Sequence, residues 1–334
     1  MNKKKSRYKS DFYVERVLES DRLILSRAIT VIESTHPEDE SLASEILNKI
    51  MPYTGKSRRI GLTGSPGVGK STFIESFGKE AISSGNKLAV LTIDPSSLQS
   101  KGSILGDKTR MNDLSKDDRV FIRPSAAGQN LGGVSAKTRE AMLLCEAAGF
   151  NIIIIETVGV GQSETLVKGM VDFFLLLMLP GGGDELQGIK RGIMELADMI
   201  LITKADGDNM EKAKRTKQDY KNALSVLKSK NSTLPPVMTC SAIDGHNIRE
   251  AWEKIILFLQ AKETSGFLKQ NRIQQNLDWM HEIIRSKIKD SFYSNPSIKN
   301  LLPQIEADIL NEKTDATYAA NYLLTHFWNS HTKK

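Results

Sequence analysis

Cysteine is scarce in this chain: Cys145 and Cys240 are the only two in 334 residues. Two thiols exclude a disulfide framework and a dedicated thiolate cluster, and they fit a reducing cytoplasm. Histidine is scarce as well. His36, His246, His281, His326 and His331 are scattered, and only the last two lie near each other, as at a solvated helix end. Long apolar runs are missing too. The longest, residues 173–180, falls far short of the roughly 20 residues that a bilayer span needs. The basic start (Lys3, Lys4, Lys5, Arg7, Lys9) has no apolar stretch behind it, so no secretory signal is expected. Charge of one sign is not in great excess. A net charge of +6 reads as a solvated terminus, not as a nucleic-acid or membrane surface. No repeat and no low-complexity tract is visible. What is present is ordinary globular usage, 40% apolar and 26% charged, in a chain long enough to bury a sizeable core.

The first fifty residues read as helices. Leu25, Ala28, Ile29 and Ile32 share one face behind a capping Asp21, and Leu42, Ile46, Leu47 and Ile50 share another. From Arg59 the pattern changes. Short apolar runs at 60–63, 88–93, 120–122, 152–155, 173–179, 199–203 and 237–239 alternate with helical stretches. Uniformly apolar strands between amphipathic helices predict a parallel sheet covered on both faces, the doubly wound α/β class. After about residue 259 the strand signals stop. Ile273, Leu277, Met280, Ile284 and Ile288 predict a long amphipathic helix, with two more to follow, one ending near Leu310 and one over 314–328. The expected layout is an N-terminal helical arm (1–53), an α/β core (54–262) and a C-terminal helical tail (263–334).

The sharpest motif is Gly64-Ser65-Pro66-Gly67-Val68-Gly69-Lys70-Ser71, a GxxxxGK[ST] phosphate loop between the strand 60–63 and a predicted helix over 72–83. Its glycines let backbone N–H groups wrap a phosphate, and the helix N-terminus at Ser71 and Thr72 adds its dipole. Lys70 is expected to reach the β- and γ-phosphates and Ser71 to bind Mg²⁺. Thr203-Lys204-Ala205-Asp206, after the strand 199–203, matches the guanine-reading pattern NKxD except that Thr stands in place of Asn. A carboxylate at Asp206 accepts from both the ring N–H and the exocyclic amine of guanine. Adenine lacks that donor pair, which costs about 10⁴-fold at such a site. Ser241, Ala242 and Ile243 follow the next strand as a short loop suited to back the guanine. GTP and GDP are therefore the expected ligands.

The strand 152–155 runs into Glu156-Thr157-Val158-Gly159, where most GTPases carry DxxG. Gly159 lets a backbone N–H approach the γ-phosphate, and Glu156 is placed to hold Mg²⁺ through water or to orient the attacking water. Val160 occupies the position of a water-orienting glutamine, so hydrolysis is expected to be slow until another group is brought in, with Gln162 the local candidate. Asp94 and Asp107 lie on loops beyond the second strand, within reach of Mg²⁺, and Arg110 within reach of phosphate.

In this order the elements resemble the MeaB/ArgK type of GTPase, chaperones of adenosylcobalamin-dependent acyl-CoA mutases within a wider group of metallocentre-assembly GTPases. The segments that carry the likeness are 64–72, 90–97, 102–111, 125–140, 156–164 and 179–194, and it extends over essentially the whole chain. Thr203 and a divergent C-terminal third depart from it. The resemblance implies a P-loop GTPase that gates cofactor loading and protection for a mutase, methylmalonyl-CoA mutase being the commonest. It implies Ser71, Asp94, Asp107 and Glu156 as metal-associated groups. A further switch loop at 181–190 would meet the mutase, with Lys190 supplying positive charge on assembly. It also implies a homodimer through the C-terminal helices, and the cobalamin adenosyltransferase as another partner. Two other classes share parts of this pattern. One is a metal-insertion GTPase, which usually shows Cys/His clusters. The other is an ATP-dependent kinase linked to basic-amino-acid transport, which needs a phosphoacceptor pocket.

Overall fold

Each apolar run read as a strand lies on one in the computed structural model, which describes residues 7–93, 111–124, 131–157, 163–181, 191–227 and 234–331. The strands are β1 (Arg58–Gly64), β2 (Leu88–Ile93), β3 (Val120–Pro124), β4 (Ile152–Thr157), β5 (Phe173–Met178), β6 (Met199–Ile202) and β7 (Val237–Thr239). They form one sheet ordered β3-β2-β4-β1-β5-β6-β7, parallel at every pairing. The register aligns Leu62 of β1 and Thr92 of β2 with Glu156 of β4.

Side chains alternate between the two faces of a strand, and helices cover both. On one face Leu62, Val90, Ile154, Leu175 and Leu201 pack with Phe73, Ile74 and Phe77 of α4 (Lys70–Ser83) and Trp252 and Ile255 of α9 (Ile248–Thr264). On the other, Leu91, Ile93, Ile153, Ile155 and Phe174 share a cluster with α1 (Ser10–Leu18), α2 (Arg22–Glu33), α3 (Pro37–Ile50) and α5 (Leu131–Ala147). The N-terminal helices therefore lie against the sheet and share its core. Their starts follow the sequence: Asp21 accepts from the Leu23 and Ile24 N–H groups, and Pro37 opens α3 behind His36. The β5–β6 end of that face packs against α7 (Arg191–Leu196) and α8 (Met210–Leu227), with α6 (Ser163–Lys168) following β4. Each buried Leu, Ile or Phe contributes about 1.5–3 kcal/mol, so these clusters dominate the stability of the fold.

Charges are buried at the amino ends of the strands. Arg59 forms a two-pronged pair with Glu146, 2.9 and 3.0 Å, and Glu146 also accepts from the Ser57 hydroxyl and, at 2.8 Å, from the Gly55 N–H. Asp172 accepts from the Arg59 N–H at 2.8 Å and from Arg272 at 2.8 and 2.6 Å. Burial opposes the charge on Glu146, but the Arg59 guanidinium and the Ser57 and Gly55 donors outweigh it and hold its pKa below the usual carboxylate value.

The chain divides into compact units 1–273 and 274–334. The second contains most of α10 (Phe267–Ser294), then α11 (Pro296–Leu310) and α12 (Ala316–His331). Its small core joins Ile298, Leu323 and Phe327 to Phe292, Leu301, Leu302 and Ile305. The predicted apolar stripe of α10 stays uncovered in the single chain: Leu277, Met280, Ile284 and Ile288 are 46–53% exposed. No helix among the described residues is long and apolar enough to cross a membrane.

Candidate functional site

β1 lies between β4 and β5, and the phosphate loop leaves its carboxyl end, where ligands sit in open α/β sheets. Gly64 is a close-approach position: a Cβ there would meet the Leu177 carbonyl oxygen of β5 at 2.6 Å. Gly67 and Gly69 have φ of +79° and +92°, the left-handed region that favours glycine. Val68, between them, is buried. Helix α4 starts at Lys70 behind Gly69, which makes no side-chain cap. Its first N–H groups therefore have no side-chain cap from that residue, and a helix start of this kind is suited to bind a phosphate. The Lys70 ammonium donates to the Gly64 and Ser65 carbonyls at 2.8 and 3.3 Å, lying back over the loop. Burial lowers the Lys70 pKa and the charge of Glu156 partly restores it, leaving a net depression. Ser71 is half-buried in the first turn of α4, Thr72 and Pro66 are exposed, and the Ser65 hydroxyl is buried with no hydrogen-bond partner among the described residues.

Glu156 is buried near the carboxyl end of β4, close enough for its charge to act on Lys70. Two features beside it were not singled out from sequence. The Thr157 hydroxyl donates to the Thr63 hydroxyl at 2.7 Å, which fastens β4 to β1 just below the phosphate loop. Thr92, in register with Glu156, is fully buried, and its hydroxyl has no partner among the described residues. A hydroxyl at a strand's carboxyl end, beside the carboxylate in register, is the signal that marks Thr92.

The base side is built from the loops after β6 and β7. Thr203 stands where the motif has Asn, and its hydroxyl lies 2.8 Å from the Val68 carbonyl and 3.2 Å from that of Met178. The contact between the base-reading motif and the phosphate loop is therefore made by a hydroxyl. Lys204 has φ of +53°, unusual for a side-chain-bearing residue, and its Cε would lie 3.9 Å from a Cβ at Gly69. That places its aliphatic stem along the phosphate loop. The Ala205 N–H donates to the Cys240 carbonyl at 3.0 Å, joining the two base-side loops. Asp206 accepts from the Ser241 hydroxyl at 2.5 Å, and the Ala242 carbonyl accepts from Ser76 of α4 at 2.6 Å. Ile243 is exposed.

The structure thus gathers Gly64–Ser71, Thr203, Lys204, Asp206, Ser241 and Ala242 at one end of the sheet, with Glu156 beside Lys70. Asp94, Asp107, Arg110, Gly159, Val160, Gln162 and Lys190 lie outside the described residues. Of the loop 181–190 only Gly181 is described; its φ is +83° and its N–H donates to the Thr216 hydroxyl of α8 at 2.8 Å. Chemically, such an arrangement can hold a phosphate chain on backbone N–H groups and a lysine, and it offers a carboxylate acceptor at Asp206.

Comparison with known proteins identifies relatives of this chain. The family model described as methylmalonyl Co-A mutase-associated GTPase MeaB matches residues 25–297. The GTPase ArgK of Escherichia coli is 43% identical over 321 residues, 95% of this chain and 97% of the relative. The methylmalonic aciduria type A homolog, mitochondrial, of Mus musculus is 42% identical over 342 residues, 99% of this chain and 82% of the relative. A crystal structure described as a LAO/AO transport system kinase superposes with a TM-score of 0.77 at 37% identity, covering 97% of this chain and all of that one.

Proposed function

The chain belongs to the MeaB family and is a P-loop GTPase; on that premise we propose that it is a GTP-hydrolysing chaperone for an adenosylcobalamin-dependent acyl-CoA mutase. Methylmalonyl-CoA mutase, named in the family's description, is the first candidate client. The proposed role is to gate the loading of the mutase's cofactor and to protect it. The observation that carries this reading is the family match over residues 25–297, which takes in the phosphate loop, the base-side loops and every strand between them.

In the proposed reaction a water oxygen bonds to the γ-phosphorus and the bond to the β–γ bridging oxygen breaks, releasing GDP and inorganic phosphate. Residues 64–72 hold the phosphates, with Lys70 moving from the Gly64 and Ser65 carbonyls onto the phosphate oxygens. Gly159 offers its N–H to the γ-phosphate. Asp206 reads the two guanine donors, backed by Ser241, Ala242 and Ile243, with the Lys204 stem alongside. The Ser71 hydroxyl and the buried Glu156 carboxylate are hard oxygen donors at the mouth of this loop, which suits Mg²⁺. Asp94 and Asp107 are proposed to join them. When bound, the ion neutralises charge on the phosphate oxygens. Gln162 is proposed to orient the water in place of Val160, and Lys190 to add positive charge on assembly with the client. Such a group is worth roughly 10³–10⁵ in rate. The exposed stripe of α10 supports a homodimer through the C-terminal helices. Residues 1–53 are proposed as the helical arm, 54–262 as the GTPase domain and 263–334 as the dimerisation region. A cytoplasmic location, and the cobalamin adenosyltransferase as a further partner, belong to the same proposal.

The test is GTP and ATP hydrolysis by the purified protein, with and without a purified adenosylcobalamin-dependent mutase from the same cell. The expected result is slow, GTP-selective turnover that rises many-fold with the mutase. No response to the mutase refutes the client. A preference for ATP refutes the guanine reading and selects the kinase that the description of the solved relative suggests.

A further inference from the structure

We propose that Ser76, on the helix that follows the phosphate loop, is a positioning residue for guanine recognition and acts on Asp206 through Ser241. The inference rests on the reading of Asp206 as the guanine acceptor.

Three hydrogen bonds run in series from α4 to that carboxylate. The Ser76 hydroxyl donates to the Ala242 carbonyl at 2.6 Å. The same peptide unit carries the Ile243 N–H, which donates to the Ser241 oxygen at 3.3 Å. Ser241, fully buried, donates its single hydroxyl hydrogen to Asp206 Oδ2 at 2.5 Å. Every donor points the same way along the chain. An amide whose carbonyl accepts a hydrogen bond becomes a stronger N–H donor, so each link polarises the next. The Asp244 N–H lies 3.5 Å from the same serine oxygen, and the Asp244 carboxylate is a second neighbour of that hydroxyl.

The consequence is an oriented carboxylate. The terminal torsion of an aspartate is broad and roughly two-fold, so an untethered Asp206 would sample many planes. Guanine presents its ring N–H and its 2-amino group side by side, and accepting both requires one plane. Ser241 fixes that plane by occupying Oδ2 from the protein side. Ser76 holds the turn that carries Ser241, and it sits on the helix whose N-terminus faces the phosphates. The base acceptor is thereby registered against the phosphate loop.

A residue that merely tethers the 240–247 loop to α4 would alter the binding of every purine triphosphate alike. ITP separates the two roles, because hypoxanthine keeps the ring N–H and lacks the 2-amino group. Calorimetric titration of GTP and ITP into the full chain is the experiment. With Ser76→Ala, the GTP dissociation constant is expected to rise roughly fivefold, the worth of one hydrogen bond. ITP should weaken by less than about twofold, so GTP/ITP selectivity narrows. Ser76→Thr, which keeps the hydroxyl, is expected to retain wild-type selectivity. In a Ser241→Ala background, Ser76→Ala should change selectivity no further. Equal losses for GTP and ITP, or an undiminished effect of Ser76→Ala without Ser241, would overturn the proposal. Asp206→Asn is the control for the underlying reading. If it collapses GTP/ITP selectivity while Ser76→Ala does not, the guanine reading stands and the Ser76 inference falls. If Asp206→Asn leaves selectivity unchanged, the guanine reading itself falls.

Discussion

Thr203→Val tests whether a hydroxyl does here what an asparagine amide does in the NKxD pattern. The substitution keeps the branched shape and deletes the oxygen that lies 2.8 Å from the Val68 carbonyl. The Met178 carbonyl, the hydroxyl's other neighbour, still accepts from the backbone N–H of residue 203 at 2.8 Å. The loss therefore falls on Val68, which is fully buried at the crest of the phosphate loop. Leaving a buried carbonyl without its donor costs about 1–3 kcal/mol, and the added methyl offsets only part of that. For a unit of this size each kcal/mol moves the melting temperature by about 2–4 °C. The expected result is a fall of several degrees for Thr203→Val, with weaker GTP binding as the crest loses its tether. Thr203→Ser keeps the donor and should stay close to the wild-type chain in both respects. The assay is thermal unfolding of the three proteins with and without GTP, alongside a nucleotide titration. If Thr203→Val melts and binds like the wild-type chain, the hydroxyl carries no such load and the reasoning is wrong.

Glu146→Gln should destabilise the protein at neutral pH by about 3 kcal/mol, the lower end for removing one partner of a buried ion pair, because the amide keeps one acceptor oxygen. The pH dependence has a definite sign. A carboxylate held below its ordinary pKa contributes stability above the unfolded value near 4.3, and that contribution is lost as pH falls through the folded value. Denaturant titrations at pH 7 and pH 3 should therefore show a smaller drop for Glu146→Gln than for the wild-type chain, and equal drops would exclude this carboxylate from the acid response. On α10, Leu277→Asp with Ile284→Asp is expected to shift the proposed homodimer to monomer in sedimentation while leaving basal GTP hydrolysis in place. A dimer that survives the double substitution would put the interface elsewhere.

Much of the fold was legible because it is written in local periodicity. Seven apolar runs of strand length, each followed by a helical pattern or a turn, suffice for a parallel sheet, since a strand buried on both faces has no polar positions to spare. Asp21 announced the start of α2 and Pro37 that of α3, through the same cap chemistry that the structure displays. The phosphate loop was legible residue by residue, because its glycines, lysine and serine are consecutive and each is required by a backbone or phosphate geometry. The segments 203–206 and 241–243 were legible as short motifs, each following a strand.

Contacts between distant segments were not legible. Ser76 meets Ala242 across 166 positions, Thr203 meets Val68 across 135, and Arg59 meets Glu146 across 87. A hydrogen bond between such residues has no period and no motif, and a serine on a helix looks like any solvated serine until the sheet order brings a carbonyl to it. The exposure of α10 is similar: the spacing of Leu277, Met280, Ile284 and Ile288 specifies an apolar face but not what covers it. The sequence alone determined the strands, the helices, the phosphate loop and the residue types at the base site, because those depend on neighbours a few residues away. Only the tertiary structure decided that β1 lies between β4 and β5, that the Thr203 hydroxyl meets the Val68 carbonyl, and that Ser76 of α4 meets the Ala242 carbonyl beside the Ser241 that donates to Asp206. Those depend on which segments pack side by side, and that follows from burying both faces of the whole sheet at once.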